Sequence, residues 1–487
     1  MFSPPLYFTT VGAALWLFGG AADRVAVLVN VLVGTGTVAA IWWVGRSWFG
    51  PRAGIIAAVL LALNGFHILL SRVVLTDAVF SFWFLLSIGA IVYAVDRRDL
   101  RLAVLAGIVT ALAWNTKYHG WFTLLITGVA LAPLIWRERG SGSWRKPLAV
   151  WGVAALVAAL LYLPWAAYMR GYSGGYGGIV SYYTAMLRVE WLDNVGRQIG
   201  QQAFMEGMIT RSAPLAALGA GWLVDARRAA GNSRLALAAV GLGAGGLLIG
   251  ESGVSALLAI AAIPMLLREF DAYRSRVLIC WMGLWLVAAP IYHPYARLIL
   301  PFTIGTFLLS GWVIDRALGH AAARGRAPAV VALAGAALVA LLSAVLRSDV
   351  GNSWYPSRDV AHAAEAIAAE VGPGETIFVV GEPPLVHYLR VAGRSSPSRT
   401  NLADLDTLTT PAYLVTGVYT QRAPNLRKHV NGMRDRLSPM AVLRFNPNDL
   451  RLLDDFRPDR ARAFRKARDS TFDMTLYRVA PARSARQ

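Results

Sequence analysis

The chain has 487 residues, of which 56% are hydrophobic and only 15% are charged, and its mean hydropathy is +0.48. Soluble domains are about 45–50% apolar and about 25% charged, so the composition excludes an ordinary soluble protein and indicates a polytopic membrane protein. The net charge of +19 does not indicate nucleic-acid binding, because Lys and Arg cluster in short loops between apolar runs, as membrane topology requires.

The opening segment, residues 1–24, begins MFSPPLYFTTVGAALWLFGG. It lacks the basic region and the small-residue cleavage site of a signal peptide. Its apolar stretch is only about 17 residues long and contains Thr9 and Thr10, so it is marginal as a membrane span. The topology derived below places it on the outer side, and we predict a juxtamembrane helix along the outer surface.

Twelve apolar runs follow, and we predict that each of them spans the membrane. They cover residues 25–45, 53–70, 77–95, 101–115, 119–136, 147–168, 211–226, 235–250, 252–267, 277–291, 297–314 and 328–346. Six alternate connections hold eighteen Lys and Arg residues, whereas the others are poor in these residues for their length. Positively charged connections stay in the cytoplasm, so the others face the outside of an inner (plasma) membrane.

Two regions depart from this transmembrane domain of residues 25–347. The outer connection 169–210 is too long for a plain loop, and its helical spacing of aromatic and charged residues predicts interfacial helices. Residues 350–487 are richer in charge and Pro, and alternate predicted helices, one of them from Ser357 to Gly372, with β-type runs such as TIFVVG and AYLVTGV. This alternation predicts a small α/β domain, which the topology places outside the membrane.

The strongest candidate for chemistry is Asp77, at the N-terminal end of a predicted span. An ionisable group near lipid costs several kcal/mol unless it has a partner or a function. One alternative is that Thr76 or Asp77 simply caps the helix. Arg72, five residues earlier, would either pair with Asp77 or bind a phosphate.

A second candidate is the segment WNTKYHG, which places Lys117, Tyr118 and His119 at an outer interface. Lys117 would either snorkel as an interface anchor or meet a lipid phosphate, with Tyr118 and His119 as hydrogen-bond donors.

A third candidate is the outer turn PIYHPYARLILP, which holds His293, Tyr295 and Arg297 between proline residues. A turn without function is one reading. However, a cation that heads an apolar helix opposes the helix dipole, and an anionic ligand would relieve this.

The charged and polar candidates share the outer ends of the spans. The pattern favours a cavity at the outer leaflet for an amphiphile with an anionic head group. Ion channels and proton-driven carriers instead place charges near the bilayer midplane.

Four segments resemble the GT-C glycosyltransferases, in the branch of the protein O-mannosyltransferases and the lipid A aminoarabinose transferases. They are PPLYFTTVGAALWLFGGAADRVAVLVNVLVG, RVVLTDAVFSFWFLL, GIVTALAWNTKYHGWFTLL and HPYARLILPF. The resemblance implies an all-α polytopic fold and the inverting transfer of a sugar from a polyprenyl-phosphate donor. The acceptor would be a hydroxyl of a glycan, lipid or protein at the outer face, with membrane lipids as further partners and no nucleic acid.

The resemblance also implies roles for individual residues. Asp77 matches the second outer-loop carboxylate of the family, and Lys117 matches a lysine associated with the donor phosphate. Tyr295 and Arg297 lie in the family's outer-turn motif. A divalent metal ion is an open question, because the family's metal-binding glutamate has no counterpart at Phe2 or Ser3.

The family's main catalytic aspartate precedes the Pro4–Pro5 pair, and this sequence has no such residue. We therefore expect the natural start to lie upstream of Met1, with one further span and an aspartate-containing loop. The alternatives are a lipid-linked-sugar flippase or transporter, which would need mid-span charges that the sequence lacks, and a catalytically incomplete membrane protein that binds glycan.

Overall fold

The computed structural model divides the chain into two compact units, Met1–Gly351 and Asn352–Gln487. The structure describes residues 3–18, 23–171, 175–184, 272–291, 296–322, 359–372, 374–379, 383–391, 398–399, 403–417, 420, 424–445 and 472–481. The predicted spans 211–226, 235–250, 252–267 and 328–346 lie outside these residues, as do most of the predicted outer loop 169–210, Ser357, His293 and Tyr295.

The described part of the first unit is helical, with two 3₁₀ turns at Tyr118–Trp121 and Ala296–Ile299. Its helices are α1 (Leu6–Leu17), α2 (Asp23–Phe49), α3 (Pro51–Ala62), α4 (Gly65–Leu70), α5 (Thr76–Arg97), α6 (Leu100–Thr116), α7 (Phe122–Glu138), α8 (Arg145–Arg170), α9 (Gly175–Thr184), α10 (Tyr273–Ile291) and α11 (Leu300–Ala322). Five segments of this described part are long and apolar enough to cross a membrane, in agreement with the predicted class of multi-pass membrane protein.

Helix α5 is the centre of this unit. It packs against α2, α4, α6, α7, α8, α10 and α11, and 72% of its apolar window is buried inside the protein. A small residue permits the close packing, because a Cβ atom at Gly89 would lie 2.6 Å from a Val44 methyl group and 2.8 Å from the Trp43 ring. The N-terminal end of α5, which carries Asp77, is therefore held by the surrounding helices.

The predicted span 53–70 is wrong as a single helix. Helix α3 ends at Ala62, and α4 begins at Gly65 after Asn64. The Asn64 side chain accepts a hydrogen bond of 2.7 Å from the His67 amide, which is the geometry of a helix N-cap. The run reads as one apolar segment because Asn64 and His67 are its only strongly polar residues, yet a buried asparagine is enough to start a new helix.

The described part of the second unit contains a five-stranded sheet in the order β2-β1-β3-β5-β4. The strands are β1 (Ile377–Val379), β2 (Ser398–Arg399), β3 (Ala412–Thr416), β4 (Leu437–Phe445) and β5 (Phe472–Val479), and the helices are α12 (Asp359–Glu370), α13 (Pro383–Val391), α14 (Ala403–Asp406) and α15 (Pro424–Gly432). Strand β1 pairs in parallel with β2 and β3, whereas β5 pairs antiparallel with β3 and β4. The sheet core includes Phe378, Leu414 and Val479.

Strands β2 and β4 are the two strands of this described sheet that the sequence pattern does not predict. Helix α15 ends at Gly432, and β4 follows after a short 3₁₀ turn at Arg434–Arg436. Pro439 lies within β4, at a register shift in its pairing with β5. Proline is tolerated there because β4 is an edge strand of the described sheet.

The core of the second unit provides a stability test. Leu414→Ala removes a side chain that is fully buried, so we expect it to destabilise β3 by about 2–5 kcal/mol. Val442→Ala on β4 is the control, because Val442 is 54% exposed and surface changes cost about 0.5 kcal/mol or less. Amide hydrogen exchange of β3 in the full chain measures both. Equal exchange in the two variants would contradict the assigned core.

Candidate functional site

Asp77 and Lys117 form a buried ion pair. Asp77 lies in the first turn of α5, and Lys117 is the C-cap residue that directly follows α6. The Lys117 Nζ donates a hydrogen bond of 2.6 Å to Asp77 Oδ1, and the two side chains are 17% and 4% exposed. The structure thus joins two residues that the sequence places 40 positions apart.

Two features of the surroundings act on this pair. The N-terminus of a helix carries partial positive charge, which stabilises the Asp77 carboxylate, and an ionised pair makes a stronger hydrogen bond than a neutral one. A lone charge at this depth would cost several kcal/mol. The pair therefore depends on both members being present.

The capping reading of this segment is wrong. Leu75 is the N-cap residue of α5, and no side chain makes a cap hydrogen bond there. The acidic side chain is instead directed to Lys117. Asp77 thus has a charged partner in Lys117, and the pairing of Arg72 with Asp77 or with a phosphate stays a prediction. Burial lowers the pKa of the Arg72 guanidinium below its usual value.

The turn Tyr118–Trp121 brings His119 next to the pair. The His119 ring lies edge-on to Phe80, with the ring centroids 4.5 Å apart, and 5.7 Å from the ring of Trp285 on α10. Lys117 Nζ lies 5.8 Å from the centroid of the same Phe80 ring. Among the described residues, His119 Nε2 is buried and has no hydrogen-bond partner.

Glycine is required within this turn. A Cβ atom at Gly120 would lie within 2.5 Å of the Ala113 carbonyl carbon, so any larger residue would push the turn away from the end of α6. The close approach keeps Lys117 and His119 beside the end of α6. This is a local reason for the sequence KYHG.

Tyr118 belongs to an aromatic cluster that attaches α9 to α8. Its ring contacts that of Tyr176 edge-on at 6.3 Å. The hydroxyls of Tyr176 and Tyr162 are hydrogen-bonded to each other, and Tyr162 stacks on Trp114 with the centroids 4.3 Å apart. The start of the predicted outer loop is thus connected to the segment that carries Lys117.

Tyr7 is a residue of this site that the sequence did not single out. It is the buried residue of α1, and burial raises its pKa to about 12, with the Asn30 side chain opposing the rise and the charge of Asp77 adding to it. Tyr7 therefore lies near both Asn30 and Asp77. The PPLY sequence could have pointed to Tyr7. However, a tyrosine in an apolar run is also typical of a membrane interface, so the sequence alone does not distinguish the two roles.

Arg297 lies in the turn Ala296–Ile299, which packs against α10 and α11. Its role as a phosphate ligand stays a prediction. His293 and Tyr295 lie outside the described residues. No three His, Cys, Asp or Glu side chains in the described ranges are arranged to hold a metal ion.

Comparison with known proteins identifies relatives of this arrangement. Residues 2–173 match the family model of the dolichyl-phosphate-mannose-protein mannosyltransferases. A stretch of 126 residues is 35% identical to the undecaprenyl phosphate-alpha-4-amino-4-deoxy-L-arabinose arabinosyl transferase of Pseudomonas paraeruginosa. That match covers 25% of this chain and 22% of the relative, so the chain spans less than a quarter of the curated relative's length.

Two solved structures share the fold over a larger part of the chain. ArnT from Cupriavidus metallidurans, bound to undecaprenyl phosphate, is 14% identical with a TM-score of 0.54, over 99% of this chain and 89% of ArnT. The oligosaccharyltransferase AglB from Archaeoglobus fulgidus is 15% identical with a TM-score of 0.56, over 86% of this chain and 62% of AglB. The chain therefore has the polytopic GT-C fold, and the resemblance found in the sequence is confirmed.

The ion pair can be tested without an activity assay. Lys117→Met leaves the Asp77 carboxylate buried and unpaired, so we expect a loss of about 3–5 kcal/mol of stability. Asp77→Leu combined with Lys117→Met removes both charges and should recover part of that loss. Thermal unfolding in detergent measures both variants. A double variant less stable than Lys117→Met would contradict the pairing.

Proposed function

We propose that this chain is a membrane glycosyltransferase. It moves a sugar from a polyprenyl-phosphate donor to an acceptor hydroxyl at the outer face of the membrane, with inversion at the sugar carbon. The observation that carries the proposal is the buried pair of Asp77 and Lys117 in a chain with the fold of ArnT. Because the sequence matches cover only part of the chain, we propose the class of reaction and no particular sugar.

Lys117 is proposed to bind the donor phosphate. The bond between sugar and phosphate breaks in this reaction, so negative charge grows on the phosphate oxygens, and a fixed cation stabilises that charge. Arg72 and Arg297 are proposed as further phosphate ligands.

Asp77 is proposed as a catalytic carboxylate. A hydroxyl is a weak nucleophile and gains reactivity when a carboxylate accepts its hydrogen bond in the transition state. A carboxylate can accept several hydrogen bonds, so the bond from Lys117 leaves Asp77 with acceptor capacity for the hydroxyl. Tyr118, His119, His293 and Tyr295 are proposed to bind the sugar or the acceptor.

The membrane arrangement is proposed as follows. Residues 25–347 cross the membrane twelve times, with residues 169–210 as a large outer loop, and residues 350–487 form an extracytoplasmic α/β domain that recognises the acceptor. Residues 1–24 contain α1, which lies on the outer surface. Support for α1 comes from Trp16, Leu17 and Phe18, which are all more than 60% exposed, as is typical of a helix end that dips into lipid.

The function is tested by transfer of radiolabelled sugar from polyprenyl phosphate. We expect Lys117→Ala to lower kcat by about 100-fold or more, because it removes a donor to the developing phosphate charge. Lys146→Ala is the matched control, since Lys146 is exposed at the start of α8 and should change the rate less than about twofold.

Two outcomes would contradict this proposal in different ways. If the parent protein transfers no sugar to any acceptor, the transferase function is wrong. If the parent is active and Lys117→Ala is as active as Lys146→Ala, the function stands but the assigned site is wrong.

The topology is tested by single cysteines in a Cys280→Ser background. Trp16→Cys should react with a membrane-impermeant maleimide added outside intact cells, because α1 is proposed to lie on that side. Ser141→Cys, in the positively charged connection between α7 and α8, should react only after the membrane is opened. The reverse pattern would invert the proposed orientation.

A further inference from the structure

The turn that leads into α5 is held by a neighbouring helix. We call residues 71–75 the re-entry turn, because they connect α4 to α5 and end two residues before Asp77. The hydrogen bonds within and next to the turn include Leu75 N to Val73 O at 2.8 Å and Arg72 N to Leu69 O at 2.9 Å. These bonds are local, so the position of the turn depends on what it packs against.

Asn30 on α2 binds this turn through its side-chain amide. The Asn30 Nδ2 donates to the carbonyl oxygen of Val73 and, at 2.9 Å, to that of Leu75. Asn30 is fully buried, and both amide hydrogens are used in these two bonds. Its loss would leave two buried carbonyls with one partner fewer each, at a cost comparable to a buried unsatisfied group.

Gly34, one turn further along α2, receives the other end of the re-entry turn. A Cβ atom at Gly34 would lie 2.6 Å from the Ser71 Cβ, so only glycine allows Ser71 this close. Ser71 in turn donates from its Oγ to the His67 carbonyl at 2.7 Å. Helix α2 thus fixes both ends of the turn, by close approach at Gly34 and by hydrogen bonds at Asn30.

The consequence concerns Asp77. Leu75, whose carbonyl Asn30 binds, is the N-cap residue of α5, and Asp77 lies two residues later. A shift of the cap would move the carboxylate relative to Lys117, which is held independently at the end of α6. Displacements of about 1 Å at a reacting group cost about 100-fold in rate.

We propose that Asn30 is a positioning residue, which binds the carbonyls of Val73 and Leu75 and thereby holds Asp77 opposite Lys117. The part of this proposal that concerns catalysis rests on the proposed function, whereas the part that concerns the turn does not. Asn30 acts through the backbone and is not proposed to touch the substrate.

The turn itself is tested by cysteine reactivity in detergent-purified full-length protein. Val73→Cys is placed in a Cys280→Ser background, and its rate of reaction with N-ethylmaleimide is measured. We expect Asn30→Leu to raise this rate about tenfold or more, because two hydrogen bonds that close the turn are lost. Asn30→Ser keeps one donor and should give an intermediate rate. If Asn30→Leu does not fold, Asn30→Ser still tests the turn.

The control is Ser87→Ala, which also removes a fully buried polar group. Ser87 lies further along α5, and its hydroxyl is hydrogen-bonded to the Thr110 hydroxyl on α6 at 2.6 Å. It should leave the Val73→Cys rate unchanged. If Asn30→Leu and Asn30→Ser react no faster than Ser87→Ala, the proposal is overturned, whatever the transfer assay shows.

The catalytic part is tested by a double-mutant cycle. Asn30→Leu should lower kcat about 10-fold to 100-fold in the parent but add no further loss in an Asp77→Asn background, because Asn30 acts through Asp77. Additive losses would overturn the positioning role. If the parent transfers no sugar, the proposed function fails, and the labelling experiment still decides whether Asn30 holds the turn.

Discussion

The burial of one ion pair between two helix ends imposes the main constraint on this protein. Lys117 Nζ lies 2.6 Å from Asp77 Oδ1, and both side chains are largely shielded from solvent. Either charge alone at this depth would be strongly destabilising. The end of α6 and the start of α5 must therefore be positioned accurately enough to keep the two charged groups within hydrogen-bond distance. Much of the described architecture can be understood as the means of achieving this.

Several elements contribute to that accuracy. Helix α5 contacts seven other described helices, which leaves its N-terminal turn little freedom. On the α6 side, Gly120 permits the tight turn after Lys117, and the His119 ring contacts those of Phe80 and Trp285. On the α5 side, Asn30 and Gly34 hold the preceding turn against α2. The polar site is thus built on apolar packing and a few buried hydrogen bonds.

Sequence patterns predicted the parts of this site that depend on composition. Charged residues at the outer ends of apolar runs are conspicuous, so Asp77 and Lys117 could be found one by one. Their pairing could not, because it depends on how α5 and α6 meet. Asn64 and Asn30 show the same limit: each is a polar residue in an apolar run, yet one starts a helix and the other binds a turn 43 residues away. Strand β4 was not predicted because Pro439 argues against a strand unless its edge position is known.

The ion pair also bears on how an anionic donor could be bound. A lysine ammonium has three hydrogens, and the bond to Asp77 uses one of them, so Lys117 can hold Asp77 and still donate to a phosphate oxygen. The pair itself is neutral, however, and adds no net charge to attract an anion. An anionic donor would therefore need a further cation, which is the role proposed for Arg72. In the proposed transfer, the phosphate would gain a second negative charge as the sugar leaves, and a donor at Lys117 would stabilise that charge.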